Sequence, residues 1–170
     1  MHILRSFSLV VLWILGAAGL ACGVLWGATA AGVIQPLVVI SGSMEPGIMT
    51  GDLLIAMRAP ADDLEVGDVV SLPSELTDDL VTHRIEAIES ADDSFVITMK
   101  GDNNDFSDAL DYTVSGDVWK PVLQLSGWGT AMMRLTTPAV AVPLLAGLIG
   151  LLGLSMLTPP EIAPSRKATA

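Results

Sequence analysis

Three residue types in this chain could together activate a hydroxyl group for attack on a carbonyl carbon. They are Ser43, His83 and an aspartate of the segment KGDNNDFSD at 100–108. A serine hydroxyl is a weak nucleophile until a base takes its proton, and a neutral imidazole can do so near neutral pH. A carboxylate improves such a base because it fixes the imidazole tautomer and stabilises the imidazolium. The pattern therefore indicates nucleophilic catalysis, with Asp102 and Asp108 as alternative orienting carboxylates.

Each of these residues also has an ordinary structural explanation when it is taken alone. Ser43 lies in the proline-bounded turn SGSMEP, and His83 lies in VTHRI, which is typical of a strand. Gly42 favours chemistry, because a residue without a Cβ lets the backbone approach closely and direct N–H groups at an oxyanion. The combination is more specific than its parts.

Metal binding has little support in the sequence. The acids at 102, 105 and 108 recur at every third residue, whereas an EF-hand loop places its ligands at every second residue. Cys22 is the only cysteine, and His2 and His83 are the only histidines, which excludes a disulfide framework and a cysteine-cluster site. We therefore expect no metal and no cofactor.

The charge that surrounds these residues is concentrated in the middle of the chain. Of 170 residues, 51% are hydrophobic and 16% are charged, and 18 of the 19 acidic residues lie between Glu45 and Asp117. With their five basic residues, residues 35–134 have a net formal charge of −13. This pattern excludes an ordinary soluble domain and argues against a polytopic transporter. It also predicts no nucleic-acid partner, since phosphates require a basic surface.

Two charge-free segments flank this acidic body. Neither residues 7–34 nor residues 138–157 contain a charged side chain, and a spanning helix needs about 20 apolar residues. Arg5 precedes the first segment, while Arg166 and Lys167 follow the second. The positive-inside rule therefore predicts a two-pass protein of the cell membrane, with both termini cytoplasmic and the acidic body extracytoplasmic.

These segments divide the chain into five predicted parts. The parts are a cytoplasmic N-terminus at 1–6, transmembrane helix 1 at 7–34, an extracytoplasmic β domain at 35–134, transmembrane helix 2 at 138–157 and a cytoplasmic tail at 158–170. A cleaved signal peptide and a lipid anchor at Cys22 are alternatives for the first segment. Both fit less well, because the apolar run is long and continues past Cys22.

The acidic body contains six short runs with strand character that are separated by turn residues. The runs are Leu37–Ile40, Asp52–Met57, Asp68–Leu72, Leu80–Ile88, Ser94–Lys100 and Asp117–Leu125. No segment between the two apolar runs shows a long helical period. We therefore predict an all-β domain, partly closed like a β-barrel, that is anchored by two transmembrane α-helices.

The order of motifs along this body resembles that of the type I signal peptidases, membrane serine endopeptidases that remove signal peptides from exported proteins. The motifs are SGSMEP at 41–46, TGD at 50–52, VGDVV at 66–70, THRI at 82–85 and KGDNNDFSD at 100–108. The chain is most similar to the endoplasmic-reticulum and archaeal branch, which also occurs in some Gram-positive bacteria. In that branch a histidine replaces the lysine base of the commoner bacterial enzymes.

The resemblance implies a role for each matching residue. Ser43 corresponds to the nucleophile, His83 to the general base and Asp108 to the orienting carboxylate. Asp102 corresponds to the aspartate of the GDNN motif, which the family needs for activity or for holding the site, and we expect its side chain to bind nearby backbone N–H groups. Ser41 corresponds to the hydroxyl that helps the Ser43 N–H to hold the oxyanion.

The resemblance also implies the partners. They are precursor proteins that carry signal peptides, the lipid bilayer that holds the anchor, and the secretion machinery as a further candidate. The strands that precede Ser43 and carry His83 match the walls of the family's substrate cleft, which accepts small residues at the first and third positions before the cut.

Two alternative functions are consistent with the same fold. A Ser/Lys protease would need Lys100 or Lys120 as its base, and neither lysine lies in the matching motif. A non-enzymatic membrane protein with a β domain that binds a partner would have no use for Ser43, His83 and Asp108 together.

Overall fold

A computed structural model of the chain describes residues 2–76 and 79–156. The elements are α1 (His2–Ala30), β1 (Ile34–Val38), β2 (Leu53–Pro60), a 3₁₀ turn (Ala61–Asp63), β3 (Val69–Pro73), β4 (Leu80–Ala91), β5 (Ser94–Lys100), β6 (Tyr112–Val114), β7 (Asp117–Leu125), α2 (Trp128–Thr136) and α3 (Pro138–Met156). They form two compact units, one of residues 20–134 and one whose described part is residues 2–19 and 135–156. The predicted tail at 158–170, with Arg166 and Lys167, lies outside the described residues.

The unit of residues 20–134 is built on a single antiparallel sheet of seven strands. The strand order is β1-β2-β7-β3-β4-β5-β6, so that β1 and β6 form the two edges of a half-barrel. All six predicted strands are present, and β5 and β7 have the predicted bounds. The predicted all-β domain is therefore confirmed in its sheet, and the domain is mostly β.

Alternating apolar residues of the central strands form the core on one side of this sheet. The buried cluster consists of Ala61, Leu64, Val70, Leu72, Ile85, Ile97, Met99, Val114 and Val118. Five of these residues, Val70, Ile85, Ile97, Val114 and Val118, are β-branched and pack well on a pleated surface, whereas Ala61 and Leu64 reach the cluster from the 3₁₀ turn and its C-terminal end. The core thus gives β3, β4 and β5 a rigid base from which the site residues project.

Two glycine–aspartate turns connect strands of this sheet. Gly51 and Gly67 have φ values of +92° and +99°, a backbone conformation that L side chains rarely adopt. The aspartate after each glycine accepts a backbone hydrogen bond from three residues earlier, at 3.0 Å in Asp52 and 3.1 Å in Asp68. The TGD and VGD motifs are therefore turns whose ends are closed by a carboxylate.

Two elements between residues 35 and 134 differ from the prediction. The prediction included no strand at Tyr112–Val114, where β6 pairs with Phe95–Ile97 of β5. The prediction that this part of the chain contains no helical segment was wrong, because α2 occupies Trp128–Thr136. Gly129 of α2 packs so closely on the Gly51 and Asp52 carbonyl oxygens that a Cβ there would lie 2.8 Å and 2.6 Å from them.

Helix α1 is long and apolar enough to cross a membrane. The candidate span is Val10–Ala30, and none of the window that defines it is buried. Its large side chains are exposed, including Trp13 and Trp26. A helix that is apolar on all sides suits a lipid environment. It ends at Ala30, and Ile34 already belongs to β1, so the helix ends four residues before the end of the predicted segment of 7–34.

The second predicted span corresponds to α3. This helix begins at Pro138, where a missing N–H costs little, and it contains Pro143. The criterion of length and hydropathy for a span is met here only when α2 and the segment Pro138–Gly150 are counted together as one bent pair. Among the described residues, α1 is thus the one helix that qualifies as a span by itself.

Candidate active site

Ser43 lies in the loop between β1 and β2, which is closed at its base. Val39 donates a backbone hydrogen bond to the Asp52 carbonyl oxygen at 2.9 Å, and Gly51 donates one to the Val39 carbonyl oxygen at 2.8 Å. Met44 is 2% exposed and anchors the loop next to Ser43. The hydroxyl is therefore presented by a turn whose next residue is fixed in the interior.

A second loop, between β5 and β6, supports Ser43 from the other side. The Asn103 N–H donates to the Ser43 carbonyl oxygen at 2.8 Å, and the Asn103 side chain donates to the Gly42 carbonyl oxygen at 3.1 Å. A Cβ on Gly101 would lie 2.6 Å from the Ser43 carbonyl oxygen. This approach explains why the GDNN motif begins with glycine.

His83 projects from β4 and contacts both Ser43 and Asp108. His83 Nε2 lies 2.9 Å from Ser43 Oγ, and His83 Nδ1 lies 2.7 Å and 2.8 Å from the two carboxylate oxygens of Asp108. His83 is 8% exposed. The structure thus brings Ser43, His83 and Asp108 together in one hydrogen-bonded series.

Asp108 is held in this series by two further contacts. Its N–H donates to the Met99 carbonyl oxygen at 2.9 Å, which fixes the backbone against β5. The Tyr112 hydroxyl donates to Asp108 Oδ2 at 2.9 Å. The backbone of Asp108 is therefore positioned by β5, and its side chain is positioned by β6.

Asp102 lies apart from this series and pairs with Arg84. Arg84 Nε and Nη2 donate to the two Asp102 carboxylate oxygens at 2.8 Å and 2.6 Å, and Nη1 donates to the Gly67 carbonyl oxygen at 2.8 Å. Successive residues of a strand face opposite sides, so Arg84 points away from His83. The Arg84 hydrogen bonds hold the pKa of Asp102 below its usual range.

This pairing corrects the expected contacts of Asp102. We expected its carboxylate to bind backbone N–H groups of its own turn, but it binds the side chain of Arg84. Its own N–H points at Met44 Sδ, 3.5 Å away. Asp102 therefore links the two loops around Ser43 to β4, and it is Asp108 that contacts the histidine.

Ser41 lies beside the candidate nucleophile. Its Oγ is 3.3 Å from Ser43 Oγ. Within the described ranges, the Ser43 N–H has no hydrogen-bond acceptor. One hydroxyl and one N–H without an acceptor thus lie next to Ser43 Oγ, and both are donors of the kind that can stabilise an oxyanion.

An apolar cleft of about 280 Å³ has Ser43 and His83 in its lining. Its two walls are residues 37–41 and residues 79–83, and Leu54 also lines it. Pairing between β4 and β5 begins only at Arg84, so the segment 80–83 is paired on its β3 side alone. Both walls therefore present strand edges to the cleft.

The two lysines of the β domain are engaged elsewhere. Lys100 Nζ lies 3.8 Å from Glu86, and Lys120 Nζ lies 2.7 Å from Asp68. Lys120 lowers the pKa of Asp68 through this hydrogen bond. In the part of the chain that the structure describes, no group of three or more His, Cys, Asp or Glu side chains is placed to hold a metal ion.

A buried carboxylate fixes the far end of the Ser43 loop. Asp52 is 2% exposed and accepts hydrogen bonds from the N–H groups of Met49 and Gly127, at 3.0 Å and 2.8 Å, and from Gln124 Nε2 at 2.7 Å. The Gly127 N–H is the main cause that lowers the pKa of Asp52. Gln124 also donates to the Gly47 carbonyl oxygen at 3.0 Å.

Four contributors to this site had no assigned role in the sequence analysis: Arg84, Asn103, Tyr112 and Gln124. Arg84 and Asn103 lie inside the THRI and GDNN motifs, so their polar side chains were a usable signal. Tyr112 and Gln124 lie outside every motif, and their roles depend on strand pairing that the sequence does not reveal.

Comparison with known proteins supports the resemblance of the motifs. The signal peptidase complex catalytic subunit SEC11 of Plasmodium falciparum is 41% identical over 73 residues, which are 42% of this chain and 39% of that protein. For the human subunit SEC11C the identity is 36% over 73 residues, 42% of this chain and 38% of that protein. Signal peptidase I W of Bacillus subtilis is 38% identical over 72 residues, 42% of this chain and 37% of that protein.

These matches cover about two fifths of each relative's length. No family model matches the chain. The similarity to both SEC11 subunits and a bacterial signal peptidase I confirms the resemblance to the type I signal peptidases that the order of motifs predicted.

Proposed function

We propose that this chain is a membrane-anchored serine endopeptidase that removes N-terminal signal peptides from exported proteins. The observation that carries the proposal is the hydrogen-bonded series from Ser43 Oγ through His83 to Asp108, with distances of 2.9 Å and 2.7 Å. A base within hydrogen-bond reach of the hydroxyl and a carboxylate behind the base are what nucleophilic acyl transfer needs. The names of the similar proteins supply the substrate class.

Ser43 and His83 carry out the covalent steps of the proposed reaction. His83 Nε2 takes the proton as Ser43 Oγ attacks the carbonyl carbon of the scissile bond. The resulting imidazolium then gives that proton to the leaving amine, which becomes the N-terminus of the mature protein. Water attacks the acyl-enzyme with His83 again as base, and this step releases the signal peptide and restores Ser43.

Asp108 orients the base during both steps. It faces Nδ1, so the Nδ1–H tautomer leaves Nε2 free to accept the Ser43 proton. The negative carboxylate also stabilises the imidazolium that forms. The negative charge that develops on the substrate oxygen is balanced by the Ser43 N–H and the Ser41 hydroxyl.

The substrate enters the cleft as an extended strand. Both walls offer unsatisfied strand edges, so the backbone of a peptide gains hydrogen bonds by adding a strand. Alternate side chains of such a peptide point into the cleft. The apolar walls of the cleft suit apolar side chains, and the preference for small residues at the first and third positions before the cut follows from the resemblance to the signal peptidases.

The anchor places this site where the substrate emerges. The apolar segment of a signal peptide stays in the bilayer while its cleavage site reaches the surface. Ser43 follows α1 after a single strand and a short turn, so a span formed by α1 tethers the site near the membrane. Such a tether raises the effective concentration of the site without any new contact.

The full topology is a second part of the proposal. The segment 138–157 forms the second span, the parts at 1–6 and 158–170 are cytoplasmic, and the β domain at 35–134 is extracytoplasmic. The lipid bilayer is then a direct partner, and the secretion machinery delivers the precursors.

Processing of a precursor in detergent tests this function. The purified full chain is incubated with a precursor whose signal peptide ends in Ala-X-Ala, and the N-terminus of the product is sequenced. A new N-terminus directly after the second alanine supports the proposal, with Ser43→Ala as the inactive control. An unprocessed precursor, bound or free, would instead favour a non-enzymatic binding protein.

A further inference from the structure

The Tyr112 hydroxyl extends the hydrogen-bonded series beyond Asp108. Tyr112 lies on β6, and its Oη donates to Asp108 Oδ2 at 2.9 Å. The same oxygen lies 2.8 Å from His83 Nδ1. One carboxylate oxygen is thus shared by the phenol and the imidazole, so a change at Tyr112 alters what Asp108 presents to His83.

A buried serine influences this extension. Ser74 is 8% exposed, its Oγ accepts the Leu76 N–H at 3.3 Å, and its side chain acts to lower the pKa of Tyr112. An ionised carboxylate only accepts hydrogen bonds, so Tyr112 is the donor to Asp108.

The phenol stays a donor over the whole working range of pH. Burial, followed by the hydrogen bond to Asp108, raises the pKa of Tyr112 to about 12. The Tyr112 proton is therefore not consumed by the reaction, and its role is to hold and to polarise the carboxylate.

We propose that Tyr112 is a positioning residue for the reaction of Ser43, which acts by holding the Asp108 carboxylate with both oxygens toward His83 Nδ1. This inference rests on the proposed function. The hydrogen bond has two consequences. It prevents rotation of the carboxylate about Cβ–Cγ, and it withdraws negative charge that would otherwise stabilise the imidazolium.

The other charged groups around His83 are unchanged when this hydrogen bond is removed. These groups are Glu75 after β3, Asp79 directly before β4, Arg84 on the opposite face of β4, Asp102 in the GDNN motif, Lys100 on β5 and Asp111 beside β6. Only Asp108 lies within hydrogen-bond distance of Nδ1 in the described ranges. Replacement of Tyr112 by phenylalanine removes one hydroxyl and no charge.

Tyr112→Phe should lower kcat about tenfold with KM unchanged, because the substrate cleft does not include this residue. It should also move the acid-side midpoint of the kcat/KM profile upward by about half a pH unit, since the carboxylate then presents more charge to the imidazolium. The His83 ring resonances, followed by NMR, should titrate with the same upward displacement, and this readout does not depend on activity.

Thr98→Val is the matched control. Thr98 donates to Asp111 at 2.6 Å, so this variant removes a hydrogen bond between β5 and the same loop without touching Asp108. It should leave kcat and both midpoints at their wild-type values. Ser74→Ala, which removes the group behind Tyr112, should move both midpoints upward by a smaller amount, and it replaces Tyr112→Phe if that variant does not fold.

A double-mutant cycle separates positioning from general support of the fold. In an Asp108→Asn background, Tyr112→Phe should cause no further loss of kcat. A full tenfold loss there, or His83 resonances whose midpoint is unchanged or lower in Tyr112→Phe, would overturn the role of Tyr112. If the wild type leaves the precursor intact while the NMR midpoint still moves, the coupling stands and the proposed function fails.

Discussion

The backbone N–H of Asn103 donates a 2.8 Å hydrogen bond to the carbonyl oxygen of Ser43. This contact joins two loops that are 60 residues apart in sequence, and the absence of a side chain at Gly101 makes it possible. The position of Ser43 Oγ relative to His83 therefore depends on the GDNN loop as well as on the turn that carries the serine.

Gly101→Ala should reduce kcat/KM by at least about a hundredfold, because small displacements of a reacting group are costly. Its Cβ would lie 2.6 Å from the Ser43 carbonyl oxygen, so the backbone of one loop must move. The rate of precursor cleavage and the thermal midpoint would be measured for the wild type and for Gly101→Ala. Phe106→Ala, an exposed change in the same loop, should behave as wild type. A fully active Gly101→Ala would contradict the role of this contact.

The two aspartates should respond differently to conversion into asparagine. Asp108→Asn should lower kcat by about 10⁴ with the thermal midpoint nearly unchanged, because His83 loses the acceptor that fixes its tautomer. Asp102→Asn weakens the pair with Arg84, which links two loops to β4, so it should lower the thermal midpoint as well as the rate. Melts and single-turnover rates of both variants test this division.

If Asp102→Asn shows the larger loss of kcat and an unchanged thermal midpoint, then Asp102 and not Asp108 is the aspartate that orients His83. Arg84→Gln is the matched variant for the structural contact. It should reproduce the lowered thermal midpoint of Asp102→Asn, since either change removes the same charged hydrogen bonds.

Asp52→Asn should lower the free energy of unfolding by about 2 kcal/mol at neutral pH, because a carboxamide cannot accept all three donors. The pKa of Asp52 lies below its ordinary value of 3.8, chiefly because of the Gly127 N–H. The stabilising contribution is therefore complete above pH 3.8 and disappears as the pH falls through the lower folded-state pKa.

The difference in unfolding free energy between wild type and Asp52→Asn should accordingly shrink as the pH falls below 3.8. Denaturant melts at a series of pH values measure it. Asp62→Asn, at an exposed position, should show no such difference. If the difference in unfolding free energy stays constant down to the pH of acid unfolding, the ionised Asp52 carboxylate is not the source of this stability.

Tags at the two termini should both be protected in intact cells, while added protease cuts only the acidic body between the spans. The proposed topology predicts this because Arg5 and the pair Arg166 and Lys167 remain on the cytoplasmic side. Permeabilised cells provide the control in which both tags are digested. Digestion of the C-terminal tag alone in intact cells would leave α1 as a single span.

The strands could be predicted because each is a run of β-branched and apolar residues between turn signals. β6 could not, since three residues after an acidic loop show no period, and only pairing with β5 makes them a strand. α2 was missed because its sequence WGTAMMRLT contains glycine and threonines, which are poor helix formers, and its burial of Gly129 against the Ser43 loop is a tertiary contact.

The candidate site was predictable as a set of residue types, but its connections were not. Ser43, His83 and Asp108 meet as the motifs indicated. Asp102 pairs with Arg84 for two reasons: His83 and Arg84 face opposite sides of β4, and the GDNN loop lies on the Arg84 side. The sequence specifies the alternation along β4 but not the position of the loop. Tyr112 is brought to Asp108 by strand pairing, which no spacing along the chain encodes.

The most direct test of the proposed mechanism is the pH dependence of kcat/KM on a peptide with alanine at the first and third positions before the cut. A histidine base must be neutral to accept the serine proton, and an imidazole ordinarily titrates near pH 6.5. The wild type, Lys100→Ala and Lys120→Ala should therefore share one acid limb, and His83→Lys should be nearly inactive. An acid limb that disappears in Lys100→Ala but persists in the residual activity of His83→Ala would contradict the account and favour a Ser/Lys protease.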